Sequence, residues 1–465
     1  MPYASHTLEA LKKCKINGRI KIGFFGIGKT NLAVFNAIRD SSRYTFTFRD
    51  MRKDAKIPHG IGDFPFFFGD RAYLGIDEDV LFLSPSVNRS HPALAAASAR
   101  GTILTSDCEE FFFATRVPVF VITGSDGKST VTTLTSRILT QSGYSSPAIG
   151  NIGVPFMCAE SSPFYTCELS SFNLEYFEPR SCAAAITNIT PNHLDFHSSF
   201  ATYRQAKLNI LKNTLRPILS YDDPECRKII FDLGAYAVFS TSVDFASLKR
   251  AVKAEHYYTV EDGALVKDGS PMIHISSLKR NEEYNLKNML TAIALAGEYA
   301  SEGAISSVLS EFSGLKHRCE LVGSFDGVKF YNSSIDTTPI RCASTLNALN
   351  LPVRLILGGR GKGLLPEVLR TPLLRYAKKI ALYGEEGEAL YTWISDDKEL
   401  SRIECAHFWS FDEAFEYATD NVRYGDTVLL SPAATAYGEF ASFEERGERF
   451  SELISAKYGQ KYPKI

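Results

Sequence analysis

A glycine-rich segment at residues 123–130 carries the residue types that bind a phosphate chain. It reads Thr-Gly-Ser-Asp-Gly-Lys-Ser-Thr, after an apolar run at 117–122 and before a helix-like stretch at 131–141. Glycines let backbone N–H groups approach phosphate oxygens, and a helix N-terminus adds partial positive charge. Lys128 can reach the β- and γ-phosphates, and the Ser129 hydroxyl can bind Mg²⁺. Because Ile122 stands where the longer motif has glycine, the loop is a shortened one, and a plain turn is the alternative.

A glutamate ends a second apolar run. Glu168 closes the strand-like segment 165–169 and is followed by two serines. A carboxylate in such a place is costly unless it is paired or bound to a metal. With a phosphate loop in the same unit, Glu168 is a candidate Mg²⁺ ligand. A helix-capping glutamate is the alternative.

Two histidines follow the next predicted strand. His193 and His197 stand four residues apart, but the zinc-protease pattern needs glutamate after the first histidine and Leu194 is there. A lone histidine is commonly structural, while the place beside the phosphate loop favours a metal or phosphate role for His193. A little further on, the pattern of residues 203–207, which includes Lys207, by itself favours a solvated helix face.

These residues need an α/β scaffold to bring them together. A strand at 19–25, the turn Gly26-Ile27-Gly28 and a helix to residue 38 open the first unit, and Asp50 closes its second strand. A glycine turn with an acidic residue about 20 positions on is the dinucleotide fingerprint. Asn31 replaces its third glycine. A nucleotide-type ligand, NAD(P) and an unliganded turn therefore all remain open.

Later apolar runs indicate two further units of buried parallel strands. They lie at 117–122, 165–169 and 183–188, then at 353–357, 379–382 and 427–430. The boundaries are expected near residues 115 and 314.

Composition narrows the class of partner. The 465 residues carry a net charge of −2 with no long basic run, which argues against nucleic acid. No apolar stretch is long enough to span a bilayer, and the first 15 residues hold no apolar signal core. Nine cysteines without a Cys-x-x-Cys pair fit a reducing cytoplasm.

Taken in order, the motifs resemble those of the Mur ligase family. They cover most of the chain, and eight in sequence are far more specific than one. They are residues 123–130, Glu168-Leu169-Ser170-Ser171-Phe172, 188–195, 203–207, Asn285-Leu286-Lys287-Asn288, His317-Arg318, Gly358-Gly359-Arg360-Gly361-Lys362 and Ser431-Pro432-Ala433-Ala434.

The resemblance implies an α/β protein of three domains. These would be a Rossmann-like UDP-sugar-binding domain at 1–115, a central P-loop ATPase-like domain at 116–314 and a Rossmann-like amino-acid-binding domain at 315–465. It also implies a cytoplasmic, ADP-forming ligase of peptidoglycan precursor synthesis that adds D-glutamate to UDP-N-acetylmuramoyl-L-alanine through an acyl phosphate. The implied cofactors are ATP and two Mg²⁺ ions.

The resemblance also assigns roles to single residues. Those for ATP are Gly124, Ser125, Asp126, Gly127, Lys128, Ser129, Thr130, Asn288 and Arg318. The metal set is Ser129, Glu168, His193 and Lys207, with Lys207 carrying a carbamate formed from CO₂. Lys128, His193 and Lys207 are the catalytic set. The UDP-sugar set is Gly28, Thr30, Asp50, Ser84 and Asn151, and the amino-acid set is Thr337, Lys362 and Phe443.

Four positions depart from the family pattern. Ser333 stands where an aspartate contacts the ATP ribose, Ile335 where a lysine lies near the amino-acid pocket, Asn192 where an acidic residue precedes the histidine, and Ala436 where a serine binds the amino acid. Asp336 is an alternative source of the lost carboxylate. Another acidic amino acid, such as L-glutamate, and a non-catalytic nucleotide-sensing paralogue therefore stay open, as does an NAD-dependent oxidoreductase.

Overall fold

The structure, a computed structural model, describes residues 7, 19–53, 55, 57, 61–62, 64–361 and 365–459. It divides into two compact units, Met1–Phe312 and Ser313–Ile465. The first unit contains two large sheets and the second contains one. The α/β class expected from the sequence is confirmed, and the division into three domains stays a prediction.

The first sheet is built from five short parallel strands. They are β1 (Ile20–Phe25), β2 (Tyr44–Asp50), β3 (Phe66–Phe68), β4 (Val80–Leu83) and β5 (Ile103–Thr105), in the order β3-β2-β1-β4-β5. The helices are α1 (Lys29–Ile38), α2 (Pro92–Ala99) and α3 (Asp107–Ala114), with a 3-10 turn at Gly69–Tyr73. Phenylalanines fill the core, where Phe24 stacks on Phe48 at 5.3 Å and Phe35 meets Phe48 edge-on at 5.2 Å. Such aromatic pairs favour a rigid core beside the β1–α1 turn.

The second sheet has nine strands. Their bounds are β6 (Val119–Thr123), β7 (Ala148–Gly150), β8 (Tyr165–Glu168), β10 (Ala183–Ile186), β12 (Pro217–Ser220), β13 (Ala237–Phe239), β14 (His256–Glu261), β15 (Ala264–Lys267) and β16 (Ser270–His274). The order is β16-β15-β14-β13-β12-β10-β6-β8-β7, and only the β14–β15–β16 end is antiparallel. A separate parallel pair joins β9 (Arg180–Ser181) and β11 (Asn213–Thr214).

Helices cover this second sheet. They are α4 (Lys128–Gln141), α5 (Ser171–Leu174), α6 (Leu194–His197), α7 (Phe200–Leu208), α8 (Pro224–Leu233), α9 (Phe245–Ala251), α10 (Glu283–Ala296) and α11 (Glu302–Glu311). Short 3-10 turns lie at Phe156–Cys158, Asn209–Leu211, Ile275–Ser277 and Gly297–Tyr299. Because the strands from β7 to β14 are parallel, their carboxyl ends meet at one edge, where α/β sheets bind ligands.

The second unit is a six-stranded sheet in the order β17-β18-β22-β19-β20-β21. The strands are β17 (Glu320–Phe325), β18 (Val328–Asn332), β19 (Val353–Gly358), β20 (Ala377–Tyr383), β21 (Glu404–Phe408) and β22 (Thr427–Ala433), and only β17 pairs antiparallel. The helices are α12 (Pro339–Leu349), α13 (Arg370–Tyr376), α14 (Gly384–Asp396), α15 (Phe411–Thr419) and α16 (Phe443–Tyr458), with 3-10 turns at Glu367–Leu369 and Leu400–Arg402. Across the described ranges, no helix has both the length and the apolar character needed to cross a bilayer.

Candidate nucleotide and metal site

The phosphate loop joins β6 to α4 and depends on two of its glycines. Gly124 has φ 151° and Gly127 has φ 82°, in the region that side chains rarely adopt. A Cβ atom at Gly124 would collide with the Thr187 side chain, and one at Gly127 would collide with the Asn288 side chain. Neighbouring segments therefore approach the loop so closely that only glycine fits.

The residues after β10 hold the loop in shape. The Ser125 N–H donates to the Asn188 carbonyl oxygen at 2.9 Å, and the Asp126 N–H donates to Asn188 Oδ1 at 3.0 Å. Ser125 Oγ also donates to the Thr190 carbonyl oxygen at 2.9 Å. These bonds join two strand ends and hold the loop in one shape.

Lys128 folds back over the loop. Its Nζ donates to the carbonyl oxygens of Gly124 at 2.9 Å and Ser125 at 2.8 Å. Ser129 and Thr130 are buried in the first turn of α4, beside the helix N-terminus. The ammonium group, the helix end and the Ser129 hydroxyl together suit a phosphate–Mg²⁺ ligand.

Glu168 is the clearest sign of a bound cation. It ends β8 opposite Ile122 of β6, its side chain is buried, and Oε2 has no hydrogen-bond partner among the described residues. A buried carboxylate oxygen without a partner is costly unless a cation offsets its charge. The residue therefore fits the predicted Mg²⁺ ligand better than a helix cap.

Lys207 lies in the interior beside the same loop. It is 1% exposed, and its Nζ donates to the Gly124 carbonyl oxygen at 2.7 Å and lies 4.7 Å from the centre of the Tyr203 ring. Burial, and then the charge of Lys128, lower the pKa of Lys207 well below its usual range. Low pKa favours the neutral amine, which is the form that reacts with CO₂.

The pattern-based interpretation of residues 203–207 as a solvated helix face is wrong. Tyr203 and Ala206 are buried together with Lys207, whereas Gln205 alone of the five is exposed. The Tyr203 hydroxyl lies 2.8 Å from Ser125 Oγ, and burial raises its pKa to about 12. Tyr203 is thus a phosphate-loop contact that sequence reasoning missed.

His193 is the N-cap residue of α6 and has a left-handed conformation, with φ 52°. Its exposed ring lies 5.0 Å from that of Phe172, which follows Glu168 by four positions. Within the described residues, no three His, Cys, Asp or Glu side chains gather as a metal-binding group. A metal here would need mixed donors, which suits Mg²⁺, since this ion takes one or two carboxylates plus phosphates and water.

A cavity of about 340 Å³ lies next to the phosphate loop. Asp126, Gly127, Asn188, Tyr284 and Asn288 are among its lining residues. Mixed aromatic and amide walls next to a phosphate cradle suit a nucleotide base. The structure therefore brings Asn288, predicted as an ATP contact, together with the loop.

In the first sheet, the predicted UDP-sugar residues surround the β1–α1 turn. Gly28 caps α1 with open space around its Cα, and Thr30 is half-buried in the first helical turn. The Ile27 N–H donates to Asp50 Oδ2 at 2.8 Å. Ser84 lies against Gly26, where a Cβ atom would come within 2.5 Å of the Ser84 Cβ.

Asn31 shows why the fingerprint lacks its third glycine. Its Nδ2 donates to the carbonyl oxygens of Phe25, Gly26 and Phe82 at 3.0, 3.0 and 3.2 Å, so it fastens the turn to two strands. Arg52, which sequence reasoning missed, donates to Asp50 at 2.9 and 2.8 Å. Its spacing two residues after Asp50 was the available signal.

Asn151 lies near the metal residues. Its N–H donates to the Glu168 carbonyl oxygen at 3.2 Å, and its side chain is exposed. The preceding Gly150 has φ 100° and packs against the Glu168 backbone. A substrate held by Asn151 would thus lie beside the candidate Mg²⁺ ligand.

The second unit contains the remaining predicted residues. Arg318, Thr337 and Phe443 are half-buried, and Lys362 lies outside the described residues. Asp336 does not present a carboxylate at the surface, because it is 5% exposed and accepts from Thr345 Oγ1 and Ser431 Oγ at 2.7 and 2.8 Å. The hypothesis that Asp336 replaces the aspartate lost at Ser333 is therefore not supported.

Parallel sheets with a glycine-rich phosphate loop at a strand end define a nucleotide-binding α/β protein. Residues 122–296 match the Mur ligase middle domain family. The UDP-N-acetylmuramoylalanine--D-glutamate ligase of Clostridium tetani is 34% identical over 394 residues, covering 81% of this chain and 82% of the relative. The Clostridium botulinum protein of the same name is 32% identical over 457 residues, covering 94% and 96%.

Solved structures show the same fold. The crystal structure of UDP-N-acetylmuramate-alanine ligase from Thermotoga maritima has a TM-score of 0.60 at 18% identity and covers 94% of this chain and 100% of that chain. A pseudomurein peptide ligase type C from Methanothermus fervidus has a TM-score of 0.53 at 15% identity, with the same coverage. The sequence relatives show that the chain belongs to the Mur ligase family.

Proposed function

We propose that this chain is an ADP-forming ligase that joins D-glutamate to UDP-N-acetylmuramoyl-L-alanine in peptidoglycan precursor synthesis. Relatives of that name cover most of the chain at 32–34% identity. The observation that carries the proposal is the pair of buried ionisable groups at the phosphate loop. Glu168 has an unpartnered carboxylate oxygen, and Lys207 has a depressed pKa. A binding module has no need to bury either group there.

The reaction has two steps. The carboxylate of the alanyl group attacks the γ-phosphorus of ATP, which gives an acyl phosphate and ADP. The amine of glutamate then attacks the acyl carbon, so that an amide forms, phosphate leaves and the amine loses a proton. Lys128 and the N–H groups of residues 124–130 would hold the phosphates in line and offset their charge.

Two Mg²⁺ ions would neutralise charge on the transferring phosphoryl group. Ser129, Glu168, His193 and carbamylated Lys207 would hold them. Lys207 becomes such a ligand when its neutral amine attacks CO₂ and releases a proton, which leaves a carbamate anion. Burial next to Lys128 supports this step, because both features lower the pKa of Lys207 and so favour the unprotonated amine.

Each substrate would have its own set of residues. The UDP-sugar would lie on Gly28, Thr30, Asp50 and Ser84, with its muramoyl end at Asn151. Adenine would occupy the cavity beside Asn288, with Arg318 on the phosphate side. Glutamate would contact Thr337, Lys362 and Phe443. Ile335 and Ala436 favour a second candidate, a ligase that uses another acidic amino acid such as L-glutamate.

We also propose three functional domains, at 1–115, 116–314 and 315–465, and a cytoplasmic location.

The test is ADP release with Mg²⁺, UDP-N-acetylmuramoyl-L-alanine and each of D-glutamate, L-glutamate, D-aspartate and a neutral amino acid. Each component is omitted in turn. Turnover that ignores the nucleotide sugar would remove the ligase assignment. Nucleotide binding with no turnover would favour the sensing paralogue, and NADH oxidation would favour an oxidoreductase.

A further inference from the structure

A buried arginine without a carboxylate partner lies in the second unit. Arg446, in the first turns of α16, is 0% exposed. Its hydrogen bonds within the described residues all go to neutral oxygens. They reach Ser334 Oγ and the Ser334 carbonyl oxygen at 2.9 Å, Tyr383 Oη at 3.0 Å, and the carbonyl oxygens of Ala434 at 3.1 Å and Gly358 at 3.5 Å. Among the described residues, the positive charge is therefore solvated by neutral oxygens within hydrogen-bond distance.

The first unit offers a contrast in the same chain. Arg49 is also buried, but its Nε lies 2.8 Å from the buried carboxylate of Glu78. Burying a charge without a partner is costly, so a fold normally pairs it with an opposite charge. Asp336, the nearby buried acid on the loop after Ser334, is bonded to Thr345 and Ser431 instead. Burial raises the pKa of Asp336.

The acceptors around Arg446 belong to the segments that carry the predicted amino-acid residues. Ser334 precedes Thr337 by three positions, and its hydroxyl donates to the Phe443 carbonyl oxygen at 2.8 Å. Gly358 opens the loop that leads to Lys362, and Ala434 opens the loop that leads to Ala436. Arg446 therefore hydrogen-bonds to residues at the start of each of these segments.

We propose that Arg446 is the positioning residue that makes this site select an acidic amino acid. This inference rests on the proposed function. Its buried charge gives these segments a positive potential that a carboxylate side chain would offset, and low-dielectric surroundings preserve such fields. Arg446 acts through the loops and touches no reacting atom.

The test compares kcat/KM for glutamate with kcat/KM for glutamine, a neutral isostere of the same chirality. The enantiomer is the one that the wild type uses. Arg446→Met removes the charge and keeps the length of the side chain. We expect it to raise the KM for glutamate about tenfold and to lower the glutamate-to-glutamine ratio by a similar factor, the scale of one charged interaction. The KM values for ATP and the nucleotide sugar should stay within about twofold.

Two further variants separate charge from packing. Arg446→Lys keeps the charge and should preserve the glutamate-to-glutamine ratio even if it lowers turnover. Tyr383→Phe removes one hydrogen bond to Arg446 and should leave the ratio unchanged. If Arg446→Met lowers kcat for both amino acids equally, or if Arg446→Lys loses the ratio as well, the residue is only structural and the inference falls.

Failure of the proposed function would look different. In that case the wild type itself would release no ADP in response to the nucleotide sugar and an amino acid. If Arg446→Met does not fold, a thermal unfolding scan will show it, and Arg446→Lys then decides. A Lys variant that folds but uses glutamine as readily as glutamate overturns the proposal.

Discussion

At the scale of single residues, the phosphate loop is flanked by two ionisable groups that folding alone would not favour. Glu168 is 5% exposed and Lys207 is 1% exposed. Each loses hydration in the folded state, and a site that retains such groups generally uses them. Removing either group should therefore reduce function much more than it reduces stability.

Glu168→Gln should abolish ligase turnover without lowering the melting temperature of the metal-free protein. The amide keeps the shape of the side chain but removes a buried negative charge, so stability should hold or rise. Turnover should fall by roughly 100-fold or more, the scale on which metal-site groups act. Glu178→Gln, at a half-exposed surface ion pair with Lys212, is the control. A variant that keeps normal turnover would contradict the metal assignment.

Lys207→Ala should lose turnover far beyond any loss of stability, because only the lysine can carry a carbamate ligand. A short-chain carboxylic acid should restore part of the activity by supplying that oxygen. The wild type should also lose activity in CO₂-depleted buffer and regain it with bicarbonate. Lys212→Ala is the matched control, since Lys212 makes a surface ion pair with Glu178. If the activity of the wild type does not depend on CO₂, the proposal that Lys207 carries a carbamate is wrong.

At the scale of elements, helix α3 begins with an ionisable group in the interior. Ser106 Oγ caps the helix by accepting a hydrogen bond from the Glu109 N–H at 3.2 Å. Asp107, the first residue of the helix, is buried. One of its carboxylate oxygens, Oδ2, has no partner among the described residues. Burial raises the pKa of Asp107 to about 7. The folded chain therefore favours the neutral acid.

Asp107→Asn should flatten the dependence of stability on pH. Because the folded pKa lies above the unfolded value, the stabilising contribution of Asp107 is complete below about pH 4 and is lost as pH rises through about 7. Between pH 5 and pH 7.5 the melting temperature of the wild type should fall more than that of the variant. Asp232→Asn, on the exposed end of α8, should keep the wild-type slope. Parallel slopes for Asp107→Asn and wild type would contradict the account.

Local signals predicted the elements well. The apolar runs at 353–357 and 427–430 became β19 and β22, because buried parallel strands need continuous apolar residues. The helix expected from 131 begins at Lys128, since left-handed Gly127 caps it. Contacts between distant segments could not be predicted in this way. The bond from Asn31 to Phe82 spans 51 residues, and the bond from Arg446 to Ser334 spans 112.

At the scale of the whole molecule, the candidate nucleotide residues fall mostly in one unit. Lys128, Glu168, Lys207 and Asn288 belong to Met1–Phe312, while Arg318, Thr337 and Phe443 belong to Ser313–Ile465. Each unit has buried apolar clusters of its own. Folding and nucleotide binding in the first unit should therefore not require the second.

A fragment of residues 1–312 should fold cooperatively and bind Mg²⁺–ADP, yet release no ADP from ATP in response to the substrates. The missing residues for the amino acid explain the lost turnover. Calorimetric titration with ADP measures binding, and the same fragment with Glu168→Gln is the control that should bind more weakly in Mg²⁺. A fragment that folds but does not bind ADP would show that the second unit is needed for the nucleotide.

The division into two units also has an optical consequence. The chain contains two tryptophans, Trp393 and Trp409, and both lie in Ser313–Ile465. Trp393 packs against an apolar core there, whereas Trp409 is 65% exposed. Tryptophan emission is thus a natural label for one unit only, and its change on denaturation follows the unfolding of Ser313–Ile465. The unit Met1–Phe312 contains phenylalanine and tyrosine but no tryptophan, so it does not contribute to the emission when excitation is set at the red edge of the absorption band.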